Sequence, residues 1–235
     1  MRAVWRTDIG LVRRSNQDSL LIGDEIHPVY AVADGMGGHR GGDIASTMAV
    51  DGLKLCLAGQ APSPEGIRRC FEQITGSIYA RQQHDSALSG MGTTLTMLWE
   101  AEDFVYLGHV GDSRAYLLRG GTFTQQSTDH SLVGELVKSG VLDEQEARVY
   151  PYRNVVTRAV GTEQHIRCDT AIIDKQPGDR WLLCSDGLTE HVTGDEIRRM
   201  MGMPDMEQGA DALVQAALAA GGQDNITLIL LEVTA

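Results

Sequence analysis

Several familiar signatures are missing from this chain, and each absence removes a class of function. No apolar run approaches the ~18 residues that a membrane-spanning helix requires. The N-terminal stretch MRAVWRTDIG lacks the apolar centre of a signal peptide, so export is not expected. The cysteines Cys56, Cys70, Cys168 and Cys184 are widely scattered with no CxxC pair. That pattern argues against a zinc or dithiol site and predicts reduced, mostly buried thiols in a cytoplasmic protein. The histidines form no HExxH, there is no GxSxG elbow, and no cysteine opens a CxxxxxR loop. No Gly-Lys dipeptide occurs, which excludes a Walker phosphate loop.

Excess positive charge is also lacking. The formal net charge is −12, with Asp and Glu dispersed along the chain. Broad binding to nucleic acid or to an anionic membrane is therefore not expected, and an anionic substrate needs local cations to be held. No repeat, linker or low-complexity tract divides the 235 residues, so one domain over 1–235 is the simplest organisation.

What is present is a series of short strand-like runs and amphipathic stripes. Residues 2–8, 19–23, 29–33, 94–99, 103–110 and 114–119 are rich in Val, Leu, Tyr, Trp and Thr, and further strands are expected at 167–173, 180–185 and 225–233. The last run is almost continuously apolar, as a strand covered on both faces would be. Ala45, Met48, Ala49, Gly52, Leu53 and Cys56 fall on one helical face, and a second helix is predicted from Pro64 to His84. A third stripe, Ala210 to Leu218, has Asp205 as N-cap and Gly221-Gly222 as terminator. Bunched strands with paired helices between them predict an α+β layered sandwich. Residues 129–165 read as short helices and irregular chain, with Asp129 or Ser131 capping a helix start.

The segment VYAVADGMGGHRGGDIAS carries the most unusual composition. An apolar run ends in Asp34, and five of the next eight residues are glycine. Glycine permits close backbone approach, but a bare carboxylate repels a phosphate unless a cation stands between them. A metal ion is therefore the better expectation. The arrangement recurs: Asp112 and Asp186 follow apolar strands, while Asp18 and Asp224 precede them. Asp and Gly are common turn residues, yet all five acids lie where strands meet loops. Gathered at one sheet edge they would repel each other unless cations joined them. Oxygen ligands suit Mg²⁺ and Mn²⁺ rather than zinc.

The segments RRSNQDS, VADGMGGHRGG, GMGTTLT, HVGDSRAYLLR, STDHSLV, LLCSDGLTE and GGQDNITLIL, in that order, resemble the motifs of the metal-dependent protein phosphatases, the type 2C serine/threonine family, and most closely its bacterial branch. The resemblance spans residues 1 to 233. It implies a central antiparallel β-sandwich flanked by helix pairs in α-β-β-α layers, with a flap at about 131–162 that tunes substrate choice.

The same resemblance assigns roles by position. Asp34 matches the acid bridging two Mg²⁺ or Mn²⁺ ions, Gly35 a backbone-carbonyl ligand, Asp186 and Asp224 further ligands of the first ion, and Asp18 the acid on the second ion's side. On this reading the glycines let backbone approach the metal pair. Asp112 matches a ligand of a third, weaker ion, although it could merely turn the chain. Arg13 matches the arginine that grips the substrate phosphate, and Arg14 reads as a surface charge. Met36 stands where eukaryotic relatives carry a histidine acid, which leaves His39 as acid, substrate contact or idle loop residue. His109 reads as a strand residue with a satisfied side chain.

The implied activity is hydrolysis of phosphoserine and phosphothreonine on proteins by a hydroxide bridging two ions. The implied setting is cytoplasmic signalling by a monomer opposite a cognate serine/threonine kinase. The alternatives are a catalytically weak phosphoprotein-binding regulator of the same fold, a hydrolase of small phosphoesters, or a two-metal nuclease, which the acidic composition disfavours.

Overall fold

The alternating runs of the sequence pair into two antiparallel sheets in a computed structural model that describes residues 1–24 and 26–234, with the side chains of residues 38–40, 144, 145 and 148 outside the description. In the first sheet β1 (Arg2–Asp8), β11 (Ile226–Glu232), β10 (Arg180–Cys184), β7 (Arg114–Arg119) and β8 (Thr122–Gln125) lie side by side in that order. The second runs β2 (Asp18–Leu21), β3 (Val29–Met36), β5 (Leu95–Glu100), β6 (Phe104–Val110) and β9 (Asp169–Asp174), with the short β4 (Gly92–Thr93) continuing along β3.

The two-residue period of a strand decides how the layers are filled. Along β11, Ile229 and Leu231 point between the sheets with Trp181, Leu183, Val32, Leu98 and Leu107. Ile226, Leu228 and Leu230 point the other way, against α6 (Gly194–Met201) and α7 (Met206–Ala219). Both faces of β11 are thus covered, which is why its sequence is almost continuously apolar. On the opposite side, Leu95, Met97 and Trp99 of β5 meet Leu53 of α1 (Gly38–Leu57) and Ile67, Phe71 and Ile74 of α2 (Pro64–His84). Each such side chain taken fully from water contributes about 1.5–3 kcal/mol. The layers are α-β-β-α, as the stripes and the resemblance implied.

α2 begins at Pro64 and ends at His84, with Ser63 accepting from the Gly66 amide as N-cap. Asp205 caps α7, and Gly221 and Gly222, at φ 123° and 49°, end it in the left-handed region. Residues 129–165 hold two short helices, α3 (Leu132–Lys138) and α4 (Glu144–Val149), and Ser131 rather than Asp129 caps the first. The sequence reading did not foresee β4, β8, α6 or the four-residue α5 (Asp186–Thr189). No described helix is long and apolar enough to cross a membrane.

Candidate metal centre

Strand direction brings the five acids to one end of the sandwich. β3 carries Asp34 two residues before its end there, and Asp186 follows two residues past Cys184 of β10; β2 and β11 begin there at Asp18 and, two residues before Ile226, Asp224. Asp18 and Asp34 are direct cross-strand partners. Asp112 sits in the turn between β6 and β7, next to Gly111, which is pressed against Thr94, whose amide donates to the Asp34 carbonyl at 2.9 Å. Sequence separations of up to about two hundred residues close into one acidic pocket.

Its electrostatics are unfavourable as they stand. Burial raises the Asp34 carboxyl well above its ordinary range, and the charges of Asp18, Asp186 and Asp112 push it further. Asp186 is raised in the same way, by burial and then by Asp112, Glu190 and Asp224, and its carboxylate lies within hydrogen-bonding reach of Asp34. Asp18 and Asp112 are each pushed up to about 6, chiefly by burial. One oxygen of Asp18 and one of Asp186, both buried, have no hydrogen-bond partner among the described residues. Like charges at short range with orphaned oxygens are costly in a low-dielectric site. A hard cation resolves both problems, and an all-oxygen donor set fits Mg²⁺ or Mn²⁺. Among the described residues no three acidic, imidazole or thiol groups close around a single point.

Around the acids stands a set of neutral donors. Ser185 Oγ donates to Asp18 at 2.8 Å and accepts from the Thr227 amide at 3.0 Å. Thr94 Oγ1 accepts from the Asp34 amide at 2.9 Å, and Thr93 Oγ1 donates to the Asp34 carbonyl at 2.9 Å. The turn carrying Asp112 is held by His130, whose amide donates to the Gly111 carbonyl at 2.8 Å while its Nδ1 accepts from the Gly111 amide at 3.0 Å. The other ring nitrogen, Nε2, lies 3.1 Å from Asp169 and 2.8 Å from Arg158 Nη1. His109 is wholly buried between Thr96 Oγ1 at 2.9 Å and the Thr128 carbonyl at 3.0 Å. Burial and the neighbouring His130 lower its pKa to about 4, so it is a satisfied, neutral strand residue.

Arg13 reaches the same end. Its Nη2 lies 2.5 Å from Asp224 Oδ2, and half of its side chain remains exposed. The hydrogen bond to Asp224 raises its pKa further, with Asp34 and Asp186 adding to the effect. Arg14 is exposed and makes no ion pair among the described residues. The His39 backbone lies in the first turn of α1, but its side chain is outside the described residues. Met36 closes β3.

The glycines bring segments of backbone into close contact. A Cβ on Gly35 would stand 2.0 Å from the Gly42 carbonyl oxygen and 2.6 Å from that of Gln17. Gly37, at φ 124°, is pressed against Met91. What the backbone approaches here is other backbone: the glycines dock the first turns of α1 onto the end of β3 and the 90–92 segment. They clear space for this packing.

A cavity of about 750 Å³ opens beside Asp112 and Asp186, bounded by Val133 and Val137 of α3, by Arg153, and by Phe123 and Val192. Glu190 and Arg153 face each other across it at 3.9 Å. The 131–162 segment thus borders the acidic end. Sequence reasoning passed over Ser185, Thr94, Asn225 and Glu190. The only available signal was that Ser185 and Asn225 adjoin two of the chosen acids.

Residues 13–221 match the family model described as Protein phosphatase 2C. Serine/threonine phosphatase stp of Listeria monocytogenes is 37% identical over 241 residues, covering 99% of this chain and 96% of that protein. The crystal structure of the Mycobacterium tuberculosis serine/threonine phosphatase PstP/Ppp superposes with a TM-score of 0.93 at 34% identity, covering 100% of this chain and 99% of that one. A PstP catalytic domain solved in complex with two manganese ions gives a TM-score of 0.90 at 34% identity over 100% of this chain and 98% of that one.

Proposed function

From the premise that the chain belongs to the protein phosphatase 2C family, we propose how its own residues carry out serine/threonine protein phosphatase chemistry. It is an enzyme that hydrolyses phosphoserine and phosphothreonine on proteins. Asp34, Asp18, Asp186 and Asp224, with the Gly35 carbonyl, would hold two Mn²⁺ or Mg²⁺ ions, and Asp112 with Asp186 a third. Such ions supply positive charge for the phosphate oxygens and lower the pKa of a coordinated water so that it can attack phosphorus. The observation that carries this reading is the self-repelling cluster of Asp18, Asp34, Asp112 and Asp186, with buried oxygens that lack partners.

Arg13 binds the substrate. A planar guanidinium can pair two phosphate oxygens at once, and here it is already drawn to the acidic end by Asp224. As the ester P–O bond breaks, the serine or threonine oxygen takes up a proton and inorganic phosphate is released. Met36 cannot supply that proton, so His39 is the side-chain acid we favour. The flap at about 131–162 selects substrates through the cavity it borders. We read residues 1–235 as one catalytic domain, monomeric and cytoplasmic, opposed by a cognate serine/threonine kinase. The four cysteines are free thiols, in keeping with a reducing compartment.

Turnover of a phosphothreonine peptide with and without Mn²⁺ tests the proposal. Activity should need added metal and vanish with EDTA, and full turnover by protein shown to be metal-free would refute it. Arg13→Ala should raise KM at a cost of about 1.5–3 kcal/mol, the worth of a charged hydrogen bond. Metal affinity should not fall, because Asp224 is released rather than removed.

A further inference from the structure

Arg13 is presented by a loop that one side chain outside the metal set pins at three backbone points. Residues 9 to 17 link β1 to β2, and Val12, Arg13 and Arg14 at their centre make no backbone–backbone hydrogen bond among the described residues. Both flanks of this span converge on Asn225. Its Nδ2 donates to the Ile9 carbonyl at 2.9 Å and to the Ser15 carbonyl at 3.1 Å, and its Oδ1 accepts from the Gln17 amide at 2.8 Å. Asn225 is almost fully buried. The amide can adopt only this orientation, since a flip would set Nδ2 against an N–H and Oδ1 against two carbonyls.

The near flank is further seated by the Leu11 amide, which donates to the Gly222 carbonyl at 2.7 Å. Gly10, at φ 79°, lies so close that a Cβ there would stand 2.3 Å from the Asp224 carbonyl oxygen. Asp18 takes one bond from this span, its amide donating to Asn16 Oδ1 at 3.1 Å, and is also held from outside it by its pairing with Asp34 and its bond from Ser185. Removing the Asn225 amide therefore frees the Arg13 span while leaving the acids in place.

On the reading of the site given above, we infer that Asn225 is a positioning residue for phosphate capture, acting through Arg13. One side chain closes the loop at three backbone points, so the arginine approaches the phosphate without first ordering its own segment. Fixing free backbone costs conformational entropy, and prior fixing keeps that cost out of substrate binding. Aspartate cannot substitute, because it offers no donor to the two carbonyls and adds a charge beside Asp224.

The experiment compares wild type, Asn225→Ala, Arg13→Ala and the double variant for KM, kcat and Mn²⁺ titration on one phosphothreonine peptide. Asn225→Ala should raise KM about tenfold, with kcat and the Mn²⁺ midpoint within about twofold of wild type. In the Arg13→Ala background it should raise KM no further, the non-additivity expected of residues acting as a unit. An equal rise in both backgrounds, an unchanged KM, or a parallel loss of Mn²⁺ affinity would overturn the inference. Should Asn225→Ala fail to fold, amide hydrogen exchange on the wild-type protein decides. The Gln17 amide should exchange at least tenfold more slowly than that of Arg14, and equal rates would refute the clamp. A wild-type protein inactive on phosphopeptides with Mn²⁺ would overturn the family-based reading and this inference with it. Activity with a normal KM in Asn225→Ala would overturn this inference alone.

Discussion

Asp18 and Asp34 face each other as direct partners across the β2–β3 ladder, a position where like charges destabilise a sheet. Nothing in the packing of the strands requires acids there, and Leu20 and Leu21, two and three positions on, pair normally with Val32 and Ala31. The pair is tolerable only when protonated or neutralised. The same holds, through space, for Asp186 and Asp112.

A pH dependence follows. Asp18 and Asp112 have folded pKa values of about 6, above the ordinary carboxylate value, and Asp34 and Asp186 are raised well beyond it. Between the two values the folded protein binds more protons than the unfolded chain, so metal-free stability increases as pH falls and is lost as pH rises through the folded pKa. His109 opposes this at lower pH: its folded value of about 4 lies below that of free imidazole, so its contribution is lost as pH falls from about 6.5 towards 4. Calorimetry in EDTA should thus give a higher Tm at pH 6 than at pH 8, with each 1 kcal/mol appearing as ~2–4 °C at this length. Saturating Mn²⁺ should abolish or reverse the difference. A metal-free Tm that rises from pH 6 to pH 8 would contradict the account.

Asp34→Asn separates stability from function. Replacing a raised, buried carboxylate by a neutral amide removes repulsion with Asp18, Asp186 and Asp112. The metal-free variant should melt higher than wild type at pH 8, while Mn²⁺-dependent turnover falls at least ~100-fold, of the order seen for loss of a principal catalytic group. A variant of lower Tm with near-normal turnover would show Asp34 to be structural.

Much of this was legible in the chain because it depends on local chemistry. Period-two runs marked β1, β3, β5, β6, β7, β10 and β11, and the Pro64 and Asp205 caps marked α2 and α7. The acids were visible because an Asp ending an apolar run is conspicuous. What escaped notice was either too short or purely tertiary. β8 offers only Phe123 as a large apolar residue, and it forms by stacking that ring on Tyr116 at 4.8 Å. The helix α6 had a readable signal, the Thr193–Glu196 capping box, within a segment too brief to show a stripe. The convergence of Ile9, Ser15 and Gln17 on Asn225 has no trace in local sequence, since it joins segments more than two hundred residues apart.

The glycines near Asp34 make a prediction about packing. At Gly35 an added methyl meets backbone at 2.0 Å, which no rotamer can relieve, whereas at Gly76 nothing lies within 4 Å. Gly35→Ala should lose about 3 kcal/mol or more in urea unfolding, in the range of severe overpacking and strain. Gly76→Ala, inside α2, should gain about 0.5–1 kcal/mol because alanine loses less backbone freedom in a helix. Equal effects at the two positions would rule out the close α1–β3 contact.

Asp112 puts the third-ion assignment to the sharpest test. If this acid only turned the chain, its carboxylate should have structural partners whose loss lowers Tm. The structure gives it little: its carboxyl is pushed up by burial and by Asp129, is relieved only by its own backbone amide and by Arg114, and faces Glu190 as well. The turn itself is held by others, through the paired bonds between Gly111 and His130 and the hydrogen bond between Thr94 and Ser113 at 2.7 Å. Asp112→Asn should therefore leave the metal-free Tm unchanged or slightly raised at pH 8. The tight ions assigned to Asp34, Asp186 and Asp224 should titrate as in wild type, yet kcat on a phosphopeptide should fall at least tenfold if Asp112 shares an ion with Asp186. Tm, metal stoichiometry and kcat measured on one preparation distinguish the two roles. A clear drop in Tm with kcat preserved would make Asp112 a turn residue and end the third-ion assignment.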